Sequence, residues 1–142
     1  MNNVTLIGRL TRDPELRFVA GSGTAVTKFT LAVDRKLSKE KKREMEQQNK
    51  PTCDFIRCVA WSKTAEIVSE YTNKGTLIAV NGAIETGNYQ GKDGKTVYTT
   101  DIRVSNYGGV EILEWKQNDT GMKAKEFEDD FKEMELDEQI LF

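Results

Sequence analysis

Side chains between Asp54 and Trp61 alternate between two unlike sets. Ile56, Cys58 and Ala60 are small or aliphatic, whereas Phe55, Arg57, Val59 and Trp61 put two large rings around a guanidinium. A period of two is the signature of a β-strand whose successive side chains face opposite ways. The first set suits a core. The second suits a flat, anionic partner such as nucleotide bases with their phosphates. A strand buried on both faces, with Arg57 reaching out along its aliphatic stem, fits the same eight residues. The rest of the chain decides between the two.

The same period recurs on either side. Val4–Leu10 predicts a first strand with Val4, Leu6 and Leu10 inward and a bend or bulge at Gly8. Asp13-Pro14 punctuates it, extended chain resumes over Leu16–Val19, and Gly21-Ser22-Gly23 turns. Ala25–Asp34 predicts the second strand, with Thr27, Phe29, Leu31 and Val33 on one face and Lys28, Thr30 and Ala32 on the other. Lys36–Pro51 is almost without apolar residues and has no face to bury, so it is read as a long mobile loop. It is either a solvated spacer or a cationic segment that closes over a polyanion.

Beyond Trp61, Ser62 is placed to cap a short helix over Thr64–Thr72, and Lys74-Gly75 stops it. Thr76–Glu85 and Val97–Val104 predict two further strands around a glycine-rich hairpin tip at Gly87–Lys95, where Asp93-Gly94 is the turn signal. A short last strand over Tyr107–Leu113 completes the pattern. The order is β-β-β-α-β-β, an all-β chain that fits a five-stranded OB barrel with one helix between strands 3 and 4. Such barrels bind oligonucleotides on the face of strands 2 and 3 and with flanking loops. The ring-bearing face, the cationic segment and the Tyr89 hairpin fall in those places, which favours the exposed reading of Phe55 and Trp61.

Composition narrows this further. Residues 1–113 carry 17 Lys and Arg against 13 Asp and Glu, and residues 114–142 carry 4 against 10. Arg35–Lys50 alone holds seven cations and three anions. A basic body followed by an acidic tail suggests a polyanionic partner for the body. There is no histidine, which removes the commonest general base, and two cysteines without histidine make no convincing zinc set. No enzyme activity, metal or cofactor is expected. Cys53 and Cys58 are five apart, on opposite faces of one strand, and are read as reduced thiols. With no membrane-length apolar run and no signal-peptide layout at Met1-Asn2-Asn3-Val4, no membrane partner and a cytoplasmic, nucleoid-associated location are expected. The acidic stretch from 114 onward has too little apolar content for a core and reads as a disordered tail. It is either a solubilising tail or a short partner motif ending on Ile140-Leu141-Phe142.

Taken together, the chain resembles the bacterial and phage single-stranded DNA-binding proteins. The resemblance rests on Asn3–Leu10 running to Asp13-Pro14-Glu15-Leu16-Arg17-Phe18, on Phe29–Val33, on Asp54–Trp61, on Ala65–Tyr71 with Lys74-Gly75, and on Gly82 through Tyr89 to Tyr98-Thr99-Thr100. It implies an OB-fold domain over 1–113, assembled as a homotetramer that binds single-stranded DNA without sequence preference. It also implies a flexible tail over 114–142 whose tip recruits replication, recombination and repair proteins. Carried over residue by residue, it implies base stacking by Phe55, Trp61 and Tyr89 and cationic contacts from Arg57, Lys63 and Lys74. Arg35, Lys36 and Tyr98 join these as candidate DNA contacts. Asp137, Glu138, Ile140, Leu141 and Phe142 are the implied partner-binding tip. The chain departs from the family pattern in having Leu37 where some relatives carry tryptophan, Glu85-Thr86-Gly87-Asn88 before the hairpin aromatic, and Leu141 where the tip usually has proline.

Overall fold

A computed structural model of the chain describes residues 1–114. Strands form where side chains alternate: β1 (Val4–Leu10), β2 (Glu15–Phe18), β3 (Ala25–Asp34), β4 (Cys53–Trp61), β5 (Leu77–Gln90), β6 (Thr96–Val104) and β7 (Val110–Glu114). Helix α1 (Lys39–Gln47) joins β3 to β4, and α2 (Ser62–Tyr71) joins β4 to β5. Around the sheet the order is β1-β3-β4-β6-β5, and β5 pairs back onto β1 to close the ring. Every pairing is antiparallel except β4 with β6. A closed five-stranded circuit with a helix after its third member is an OB barrel. The two short strands are additions to it: β2 pairs with β3, and β7 with β5.

The inward rows fill the barrel. Leu10, Leu31, Cys58, Ala60, Ile78 and Val104 are almost fully buried, and Ala65, Ile67, Val68 and Tyr71 of α2 join the same core. Thr27, also fully buried, donates its hydroxyl to the carbonyl of Ala65 at 2.9 Å, which ties α2 to β3 without leaving an unpaired polar atom. Closure depends on close backbone approach at Gly82, where a Cβ would stand 2.1 Å from the carbonyl oxygen of Arg103. Gly8 marks no bulge, since the β1–β5 register is unbroken through it, and the reason for it is similar: a Cβ there would lie 2.6 Å from the carbonyl of Ala32.

Four further expectations change. Residues 39–47 are helix, not loop. The Ser38 hydroxyl accepts from the Lys41 N–H at 3.1 Å, Glu40 stands in the first turn, and no residue of α1 is buried. Strong helix formers and a cap supply this locally, with no packing face required. Ser62 is not a cap. Trp61, still extended, occupies that position without a capping bond, and Ser62 is the first helical residue with φ of 56°. The strand predicted to stop at Glu85 continues to Gln90, so the hairpin turns only over 91–95, with Gly94 at φ of 79°. Leu16–Phe18 lies in a paired strand rather than merely extended chain, so the described sheet has seven strands where the pattern predicted six. Of the tail expected over 114–142, Glu114 lies in β7, and the rest, including all five residues of its tip, falls outside the described residues.

Candidate functional site

The outer face of β3, β4, β6 and β5 is built by register. Across the β3–β4 ladder, Phe55 stands opposite Ala32, Arg57 opposite Thr30, Val59 opposite Lys28 and Trp61 opposite Val26. The parallel pairing sets Val59 beside Arg103, and the β5–β6 ladder sets Asp101 opposite Glu85, Thr99 opposite Gly87 and Val97 opposite Tyr89. Side chains opposite one another in a ladder share a face. Small residues therefore lie across from the rings: Ala32 next to Phe55, and Gly87 with Thr99 in the groove that Trp61 lines. Phe55 is 59% exposed and Tyr89 57%, which is costly for large rings unless something else covers them. Trp61 is half-buried.

Two shallow grooves of about 230 and 200 Å³ run along this face. Arg12, Glu15, Lys28, Arg57, Val59 and Asp101 line the first. Lys28, Val59, Trp61, Gly87, Asp101 and Arg103 line the second. Lys28, Val59 and Asp101 belong to both, so the two grooves form one trough that crosses the barrel wall from the β2 side to the base of the β5–β6 arm.

The predicted cations divide by environment. Arg57 donates from Nε to Asp101 at 2.8 Å; that hydrogen bond, and the carboxylate charge behind it, hold its pKa above the ordinary arginine value. Arg35 donates from Nε and Nη2 to one oxygen of Asp54 at 3.0 and 2.7 Å. The same contact keeps the Asp54 carboxyl below the usual carboxylate range. Arg35 is thus engaged by a carboxylate and is not a bare phosphate contact. Lys36 is exposed just before α1, and Lys63 is half-exposed in the first turn of α2. The backbone N–H of Lys74 donates to Asp13 at 2.7 Å, which anchors it to the Arg12–Asp13 turn at the rim of the first groove.

The structure thus brings Phe55, Arg57, Trp61 and Tyr89 onto one side. Tyr98 does not join them: it stands opposite Asn88, on the reverse face of the arm, and is 80% exposed there. Three residues of the trough are not among those the sequence predicts for the site. Lys28 was assigned to the non-core face of its strand, but only register places it against Val59. Arg103 and Asp101 reach the trough through the one parallel pairing of the sheet. Among the described residues, no group of three or more His, Cys, Asp or Glu side chains is placed to hold a metal ion, and no helix is long and apolar enough to cross a membrane.

A barrel of this topology with an aromatic, cationic outer trough belongs to a recognisable class. Residues 1–110 match the single-strand binding protein family, and the chain belongs to it. Membership places it among binding proteins rather than enzymes. Over 111 residues it is 49% identical to the single-stranded DNA-binding protein of Clostridium perfringens, an alignment covering 78% of this chain and 67% of that one. It is 46% identical to the single-stranded DNA-binding protein of Clostridium tetani over 132 residues, covering 92% and 83%. Single-stranded DNA-binding protein 3 of Listeria innocua is 48% identical over 121 residues, covering 85% and 69%.

Proposed function

We propose that this protein binds single-stranded DNA without sequence preference along the trough. Bases stack on Phe55, Trp61 and Tyr89, while Lys28, Arg57, Lys63, Lys74 and Arg103 hold the phosphates. The observation that carries this reading is the outward row of rings on β4 and the arm, with Phe55 and Tyr89 exposed and Trp61 half-buried, set around cations rather than within the core. Stacking is worth about 1–3 kcal/mol per base and accepts any base, because every base has a π-face. It needs that face uncovered, so an unpaired strand is preferred to a duplex. Phosphate contacts release counterions, and affinity falls as salt rises. Arg35 exchanges its carboxylate for a phosphate, or shares it, so it contributes less to the salt dependence than an unpaired cation would.

Two further parts belong to the same proposal. The chain assembles as a homotetramer. The segment Val4–Gly8 of β1 is paired on its β5 side only, and Ile7, 55% exposed, lies on the outer face beside Ala79, an open edge and an apolar patch that suit a second copy. A monomer in sedimentation equilibrium would overturn that part. The tail tip, Asp137, Glu138, Ile140, Leu141 and Phe142, recruits replication, recombination and repair proteins, with acids steering it and the apolar end filling a pocket. Identical pull-downs from full-length and tip-deleted protein would count against this. The protein is read as cytoplasmic and associated with the nucleoid.

The direct test is a tryptophan fluorescence titration with single- and double-stranded oligonucleotides across salt. Oligo-dT quenches the emission and the matching duplex does not. Trp61→Ala removes most of the quenching and weakens binding by about 1–3 kcal/mol. Unchanged affinity in that variant sinks the stacking account.

A further inference from the structure

A carboxylate in a trough that binds a polyanion repels its own ligand, and Asp101 stands in both grooves. Its side chain is 24% exposed, against 60% for Glu85, which pairs with Arg103 on the same face, and 49% for Asp54, which pairs with Arg35 at the end of the β3–β4 ladder. How each acid holds its arginine explains what it does. Asp54 takes Nε and Nη2 of Arg35, and Glu85 is met by Nη1 of Arg103 at 3.5 Å, so both occupy a terminal nitrogen. Asp101 takes only Nε of Arg57, at 2.8 Å. Among the described residues, both terminal nitrogens of Arg57 are left without a hydrogen bond. That is the half of the guanidinium fork that matches a phosphate bidentately.

We propose that Asp101 is a positioning residue for strand binding: it clamps Arg57 by Nε so that the terminal nitrogens stand ready between the rings of Phe55 and Trp61 for a phosphate of the bound strand. The backbone supports the arrangement. Arg57 immediately precedes Cys58 on β4 and Asp101 immediately precedes Ile102 on β6, and Cys58 and Ile102 are partners in the parallel pairing, so the acid and the base stand side by side. Without Asp101 the four-bond stem of Arg57 is free, and binding must order it. The charge that repels the ligand therefore serves it, because it removes the cost of fixing the cation. This rests on the strand-binding reading above and adds to it a residue that touches Arg57 rather than DNA.

The experiment measures oligo-dT affinity of the full chain against salt concentration for Asp101→Ala and Asp101→Asn, each with Arg57 present and in the Arg57→Ala background. With Arg57 present, Asp101→Ala weakens binding by about fivefold, the worth of one well-placed hydrogen bond. Its salt slope becomes shallower by about 0.7, one phosphate contact fewer on a single strand. Asp101→Asn keeps an oxygen for Nε and keeps the parent slope. In the Arg57→Ala background the sign reverses, and Asp101→Ala tightens binding because only repulsion is left to remove. Tighter binding by Asp101→Ala in both backgrounds overturns the proposal and makes Asp101 a plain electrostatic competitor. Should Asp101→Ala not fold, Asp101→Asn decides alone: the parent slope supports the clamp, and a slope steeper by about 0.7 refutes it. Failure of the unaltered chain to bind oligo-dT is a different result, which removes the strand-binding reading itself.

Discussion

Arg57 and Cys58 are consecutive in the chain and sit in different solvents. The Cys58 side of the barrel wall is closed: Leu31, Cys58 and Ala60 are almost inaccessible to water. The Arg57 side is open, with Phe55 more than half exposed and Arg57 and Arg103 each paired to a carboxylate. One strand thus carries a stabilising face and a binding face at a spacing of a single residue. Apolar surface on the inner face is covered by the fold itself, at about 25 cal/mol per Å². Apolar surface on the outer face is left for a ligand. The two sides therefore respond to different perturbations.

The largest effect is expected from within. Leu31→Ala, which hollows the core behind β4, lowers unfolding free energy by about 2–5 kcal/mol in urea titrations. The fraction that remains folded binds oligo-dT as before, and a matching loss of affinity would mean that the two faces are not separable. The converse change is Phe55→Ala. It weakens oligo-dT binding by about 1–3 kcal/mol and moves stability by no more than about 0.5 kcal/mol. A large drop in melting temperature would show that Phe55 belongs to the core after all.

The smallest effect concerns the Cys58 thiol, which burial, assisted by the charge of Asp101, pushes up to about 12 from its ordinary 9.0. A thiol harder to ionise when folded contributes stability in full below about pH 9. That contribution falls as pH climbs toward about 12, because only the unfolded chain can release the proton. Between about pH 9 and pH 10 the loss amounts to roughly 1 kcal/mol. Cys58→Ala flattens this alkaline slope. An unaltered slope in that variant would show that the thiol is not sealed from water.

The alternation that separates the two faces could be read from residue types alone, since Ile56-Cys58-Ala60 and Phe55-Arg57-Trp61 differ in size and polarity. The barrel topology followed from strand count and helix position. What the chain could not disclose was pairing between distant strands. Arg57 and Asp101 are 44 residues apart, and nothing in either stretch marks them as partners. Lys28 looked like any solvated lysine until register set it against Val59. Helix α1 escaped for the opposite reason: its cause is local, a serine cap followed by helix-forming residues, and a search for apolar faces overlooks an element that buries nothing. The length of β5 was misjudged because Gly87 resembled a turn residue, whereas it lies within the ladder opposite Thr99, whose hydroxyl would stand 3.2 Å from a Cβ there.

Strand β5 runs for 14 residues without interruption, first as a stave of the barrel and then as one half of the projecting arm. Its barrel half is laced to β1, β6 and β7. Tension transmitted down the arm to Tyr89 would therefore load those ladders lengthwise, so that many bonds resist together instead of parting one after another. The arm is a cantilever rooted in the wall, and a pull applied at Tyr89 would meet the stiffness of the barrel rather than that of a loop.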